Sequence, residues 1–173
     1  MLRGEVKPVR HVLAAALIMC IPSIGLAQTP GQVSAAEREA VLAVVQKFFE
    51  TMASGDIAGG RAVSVPEGRF FSLRESTTGT APTVRTLTNQ ESFDRLSSDK
   101  RKLRERMWNP EVRIHSAIAV VWTAYDFWID GKFSHCGVDA FNLMKTPDGW
   151  KIAGGLYTVE RTGCPPSPLG PLK

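Results

Sequence analysis

The chain has 173 residues, 43% of them hydrophobic and 22% charged, with 15 glycines and 11 prolines. That profile excludes disordered and collagen-like classes and allows one domain with a real core. The net charge is +4, but Arg3, Lys7 and Arg10 against Glu5 lie in the first 27 residues, so the remainder carries 18 Lys and Arg against 16 Asp and Glu, and a strongly basic nucleic-acid binder is disfavoured.

Residues 1–27 read as a secretory signal peptide. A basic start precedes the apolar run VLAAALIMCIPSI over Val12 to Ile24, and Gly25-Leu26-Ala27 supplies small residues for cleavage after Ala27. The run is too short to cross a bilayer and Pro22 interrupts it, so no membrane association is expected once the leader is gone. A lipid anchor on Cys20 is the rival, disfavoured by the bulk of Met19. Cleavage would leave an exported chain with two cysteines, Cys136 and Cys164. In an oxidising compartment these are expected to pair as a disulfide tying the C-terminal segment to the sheet. The bond would close a loop of about 29 residues, stabilising by roughly 3 kcal/mol.

Ser34 followed by Glu37 has capping-box spacing. Val41, Val45, Phe48 and Met52, with Leu42 and Phe49, recur at helical spacing up to the stop at Ser54-Gly55-Asp56, which predicts a helix over 34–54. A shorter helix is expected around Ile57–Val63, a strand over Arg69–Arg74, and a Thr/Gly/Pro-rich loop over 76–86. Thr88 and Glu91 repeat the capping-box spacing and predict a helix running toward Met107. Its Lys100, Arg101, Lys102, Arg104 and Arg106 lack interleaved aromatics and read as a solvated helix face. From Pro110 the pattern turns to strands: Val112–His115, Ile118–Ile129, Phe133–Lys145 and Trp150–Arg161. Asp130-Gly131 marks a two-residue hairpin, and Thr146-Pro147-Asp148-Gly149 a second turn. The tail over 162–173 is Pro-rich. Helices first and antiparallel strands after define the α+β class.

This order resembles the nuclear transport factor 2-like fold and, within it, the SnoaL-like bacterial group over residues 34–161. The residues that carry the likeness are Ala119-Val120-Val121-Trp122 with Tyr125-Asp126-Phe127, the stretch Asp130-Gly131-Lys132-Phe133-Ser134-His135-Cys136-Gly137-Val138-Asp139-Ala140-Phe141, and Asp148-Gly149-Trp150-Lys151-Ile152. The resemblance implies a cone of helices closed on a curved sheet around a pocket. It spans isomerases, cyclases, dehydratases and non-catalytic members, so it does not choose a function.

Strand parity then nominates a site. A two-residue turn at Asp130-Gly131 places Asp126 opposite His135 and Trp122 opposite Asp139, with Trp128, Phe133, Phe141 and Leu143 on the same, concave face. An Asp126–His135 pair is the acid–base candidate, because a carboxylate can fix an imidazole tautomer and set its pKa near neutrality. Trp122, Trp128, Trp108, Asp139 and Tyr157 are the candidate pocket lining. Tyr157 depends on a bulge in the last hairpin. The opposite face is expected to carry Val121, Thr123, Tyr125, Phe127, Cys136, Val138 and Ala140, and to form a homodimer as members of this fold commonly do. No metal spacing, phosphate loop or dinucleotide fingerprint occurs in the sequence. The expected partner is a small apolar molecule without cofactor, the rival readings being an isomerase, cyclase or dehydratase, and a dimeric interaction module.

Overall fold

Ser34 caps the first helix, accepting the amide of Glu37 at 3.0 Å, and Gly55 ends it in the left-handed conformation with φ of 72°. The computed structural model describes residues 34–76 and 81–172; the leader and Cys20 lie outside the described residues. In chain order the elements are α1 (Ala35–Ser54), α2 (Ile57–Ala62), β1 (Ser64–Arg74), β2 (Thr83–Thr88), α3 (Asn89–Ser98), β3 (Leu103–His115), β4 (Ile118–Ile129), β5 (Lys132–Thr146) and β6 (Gly149–Val159). They form helices packed on one curved six-stranded sheet of order β2-β1-β6-β5-β4-β3. All neighbours are antiparallel except β1 and β6, which run parallel.

The core lies where α1 crosses the concave face. Val41, Val45 and Phe49 meet Ala119, Val121, Phe141, Leu143, Trp150 and Ile152. The Glu37 side chain does not complete the expected capping box; its Oε1 accepts instead from Lys145 Nζ at 2.7 Å and Trp150 Nε1 at 3.0 Å, pinning the helix start to the β5–β6 turn. Cys136 and Cys164 are disulfide-bonded with Cα atoms 5.8 Å apart, as expected.

Three expectations are corrected. The helix from Thr88 ends at Ser98, although its capping box is complete, because Asp99 turns its carboxylate back onto the Arg101 amide and guanidinium. The chain then alternates as a strand, so Arg104 and Arg106 belong to β3 and not to a helix face. The loop assigned to 76–86 yields to β2 from Thr83, which pairs with β1 from Arg74↔Thr83 to Arg69↔Thr88.

The third correction is one of register. Asp130 and Gly131 both have positive φ, 51° and 76°, as a type I′ hairpin requires, and Ile129↔Lys132 and Trp128↔Phe133 pair as the turn dictates. Then Ser134 is extra. The bulge shifts the ladder so that Phe127 faces His135, Asp126 faces Cys136, Thr123 faces Asp139 and Trp122 faces Ala140. β4 is thereby reversed along its length, and on β5 the residues from His135 onward keep the expected face while Phe133, before the bulge, goes with Trp128 to the outer crevice. Val121, Thr123 and Tyr125 are buried inside, whereas Trp122 is 54% exposed on the outer face.

Candidate functional site

The inward rows of β3, β4, β5 and β6 enclose a cavity of about 410 Å³ beneath α1, within the range of small-molecule sites. One end is aromatic: Phe48, Phe49, Phe70 and Phe141 pack edge-to-face and stacked at centroid distances of 5.6–6.1 Å. The middle is polar. Asp139 of β5 faces Tyr157 of β6, and Tyr157 is level with Ser72 of β1. Burial pushes the phenol's pKa up, against the opposing effect of the Ser72 hydroxyl. Tyr125 donates to the Thr158 carbonyl at 2.6 Å, and burial raises its pKa too. Gly137 makes that contact possible, because a Cβ there would collide with the Thr158 carbonyl and the Tyr125 ring.

Glu105 of β3 completes the polar band. Glu105 is half-buried at the cavity wall, and its carboxyl is hydrogen-bonded to that of Asp139. Two carboxylates in contact cannot both ionise, so such a bond requires one proton between them. Burial pushes Asp139 up to about 8, against the opposing effect of the hydrogen bond from Glu105. Burial first, and the charge of Asp139 second, lift Glu105 well above the ordinary carboxylate range. Asp139 Oδ2 is buried without a hydrogen-bond partner. A donor-capable acid pair therefore lines a cavity whose near end is aromatic.

His135 sits toward the other end, stacked on Phe127 at 4.8 Å and edge-on to Tyr125 at 5.8 Å, with Nδ1 3.0 Å from Ser134 Oγ. Burial, with the charges of Arg74 and Arg161 adding to it, pushes its pKa down to about 4, so the ring is neutral at pH 7.

The structure thus brings together His135, Asp139 and Tyr157 among the residues expected at the site. The last hairpin turns tightly at Thr146↔Gly149, yet an extra residue, Ala153, restores the parity that brings Tyr157 inside. Asp126 is elsewhere. Its carboxylate takes two hydrogen bonds from Arg106, at 2.9 and 2.6 Å, and lies with Trp128, Phe133 and the Pro-rich tail in an outer crevice. The Asp126–His135 pair does not form, because the bulge separates the two onto opposite faces. Trp122 is exposed, Trp128 lines the outer crevice, and Trp108 is half-buried on β3 outside the main cavity. Glu105 was hidden by the helix assignment of its segment. Its signal is the alternation Leu103, Glu105, Met107, in which one acid interrupts an apolar row.

Among the described residues no group of three His, Cys, Asp or Glu side chains is placed to hold a metal, and no helix is long and apolar enough to cross a membrane.

Residues 36–158 match the family model described as "Putative lumazine-binding". No functionally curated protein matches the sequence. Among solved structures, an NTF2-like protein from Cytophaga hutchinsonii superimposes with a TM-score of 0.59 at 17% identity, covering 70% of this chain and 97% of that one. A cystatin-like protein of unknown function from Nostoc punctiforme gives 0.60 at 10% identity, with 76% and 96% covered. A "putative dehydratase from the NTF2-like family" of Streptomyces avermitilis gives 0.56 at 16%, with 72% and 96% covered. At these identities the likeness is one of fold.

Proposed function

Since the chain belongs to the family described as "Putative lumazine-binding" and has the nuclear transport factor 2-like fold, we propose that it binds a small, largely apolar molecule in the cone cavity, with a hydrogen-bond acceptor of that molecule placed at the Glu105–Asp139 pair. The observation that carries this reading is the Glu105–Asp139 acid pair in the lining of a cavity with an aromatic end. Burial keeps the pair protonated, and a ligand carbonyl or ring nitrogen accepting from it would gain a hydrogen bond shielded from water. Thermal-shift screening against steroid-like and polyketide-like ketones tests it. A binder at a hundredfold excess over its Kd should raise Tm by roughly 5–10 °C, and Tyr157→Phe with Asp139→Asn should remove the gain. No shift with any compound, together with no co-purified molecule in native mass spectra, would refute the reading.

A catalytic reading is favoured by one further fact. A carboxyl held near pH 8 beside a second carboxyl can give and take a proton close to neutrality. An isomerase or dehydratase built here would use Glu105 and Asp139, not Asp126 and His135.

We further propose that the protein is exported after loss of residues 1–27, and that it dimerises through the outer sheet face. An intact mass for a chain starting at Gln28 checks the export. For the dimer, the bulge changes the residues involved: Phe71, Leu156, Ala140 and Trp122 form one row across four strands, and Phe71, Leu156 and Trp122 are 38%, 48% and 54% exposed. Light scattering should give twice the chain mass at micromolar concentration, and Trp122→Lys should return the monomer. A wild-type mass of one chain refutes it.

A further inference from the structure

The cavity has a charged end that the acid pair does not explain. Along the sheet the strand register orders its lining. Phe70 and Phe141 lie at the aromatic end, Ser72, Asp139 and Tyr157 in the middle, and Arg74, paired with Val159, beyond them, with Arg161 two residues further. Arg74 and Arg161 also line an adjoining cavity of about 310 Å³ together with Glu75, Thr83 and Thr162, so the two guanidinium groups stand where the chambers meet. Arg101, at the same cavity, is engaged by Asp99, with guanidinium-to-carboxylate contacts of 2.6–3.2 Å. Arg74 and Arg161 form no ion pair with any described residue, and Arg74 Nε is buried without a hydrogen-bond partner. A guanidinium is always charged and presents a planar fork of donors suited to an oxyanion.

We propose that the ligand of this cavity is an organic anion, with an apolar ring body lying against the phenylalanines and a carboxylate or sulfonate held by Arg74 and Arg161. This rests on the reading of the cavity as a ligand site and adds the charge and the orientation. The Glu105–Asp139 pair at mid-cavity offers an anion no positive charge, so the charged group belongs toward the arginines. His135 stands beside that position as a neutral ring able to donate one more hydrogen bond.

The test uses a matched pair of fluorescent probes, anilinonaphthalene sulfonate and its neutral parent N-phenylnaphthylamine, titrated into the full protein. The sulfonate should bind at least about tenfold more tightly. Arg161→Gln, at an exposed position where folding is least disturbed, should cut that preference severalfold, and Arg74→Gln should abolish it, both leaving the neutral dye's affinity unchanged. Trp122→Lys on the outer face should change neither affinity. Equal binding of the two dyes, or arginine variants that weaken both dyes alike, overturns the proposal and leaves the cavity reading standing. Loss of sulfonate binding in Trp122→Lys also overturns it, by placing that dye on the outer face. Failure of both dyes to bind at all overturns the cavity reading, and this proposal with it.

Discussion

At pH 8 the Asp139→Asn protein is expected to be more stable than the wild type, by on the order of a few kcal/mol. The sign follows from the folded-state pKa of about 8, raised by burial. A group whose folded pKa exceeds its unfolded value, about 3.9 for Asp, stabilises fully below the unfolded value and loses that contribution as pH rises through the folded one. Wild-type stability should therefore fall between about pH 4 and pH 8 on account of the acid pair. Asparagine keeps the shape, cannot ionise, and frees Glu105 from a charged neighbour. His135 contributes the opposite slope: its folded pKa of about 4 lies below the ordinary value near 6.5, so stability falls as pH drops through that window. With the Asp139 contribution removed, the stability optimum should move to higher pH. Urea midpoints across the range decide this. Parallel pH profiles for the two proteins would show that Asp139 does not hold a raised pKa.

Arg106→Met is expected to cost about 3–5 kcal/mol, because it leaves a buried carboxylate uncompensated. Asp126 has a side chain only 3% exposed, Arg106 14%, and the guanidinium forks onto both carboxylate oxygens while also donating to the Gly170 carbonyl at 2.8 Å. It also lies over the Trp128 ring, 5.4 Å from its centroid. The pair itself contributes far less than its rupture costs, so Arg106→Met combined with Asp126→Leu should recover most of the loss. Chemical denaturation of the single and double variants separates the two quantities. A double variant as unstable as Arg106→Met would show that packing of the tail over Trp128, not the orphaned charge, carries the effect.

Local signals in the sequence were sufficient for the elements with strong caps and turns. Ser34 with Gly55 bounded α1, and Asp130-Gly131 and Pro147-Asp148 closed two hairpins where expected. The fold class followed from them. Parity on β4 was not legible, because a bulge is a one-residue event with no strong composition of its own, and Ser134 looks like any polar strand residue. Trp122 and Trp128 reinforced the error, since large aromatics argue for a core that here lies on the other face. The same expected parity turns Tyr125 and Phe127 away from the site and puts Asp126 where Phe127 stands, opposite His135. Glu105 could be read only by seeing that Asp99 stops α3 and that β3 begins at Leu103. Tyr157 was legible only as one of two alternatives, which the extra residue Ala153 resolves.

The parallel pairing of β1 with β6 has a consequence for the order of events during synthesis. In the described sheet the β1–β2 ribbon joins the other strands only through β6, the last strand in the chain. Its ladder links Arg69 to Gly154 and Arg74 to Val159, contacts some 85 residues apart in sequence, while β3 through β6 form a meander of neighbouring strands with low loop-closure entropy. The β1–β2 ribbon therefore has no further strand to join until β6 has formed. Closure of the sheet is thus a single late event that joins two preformed parts, the ribbon and the meander, along one parallel ladder.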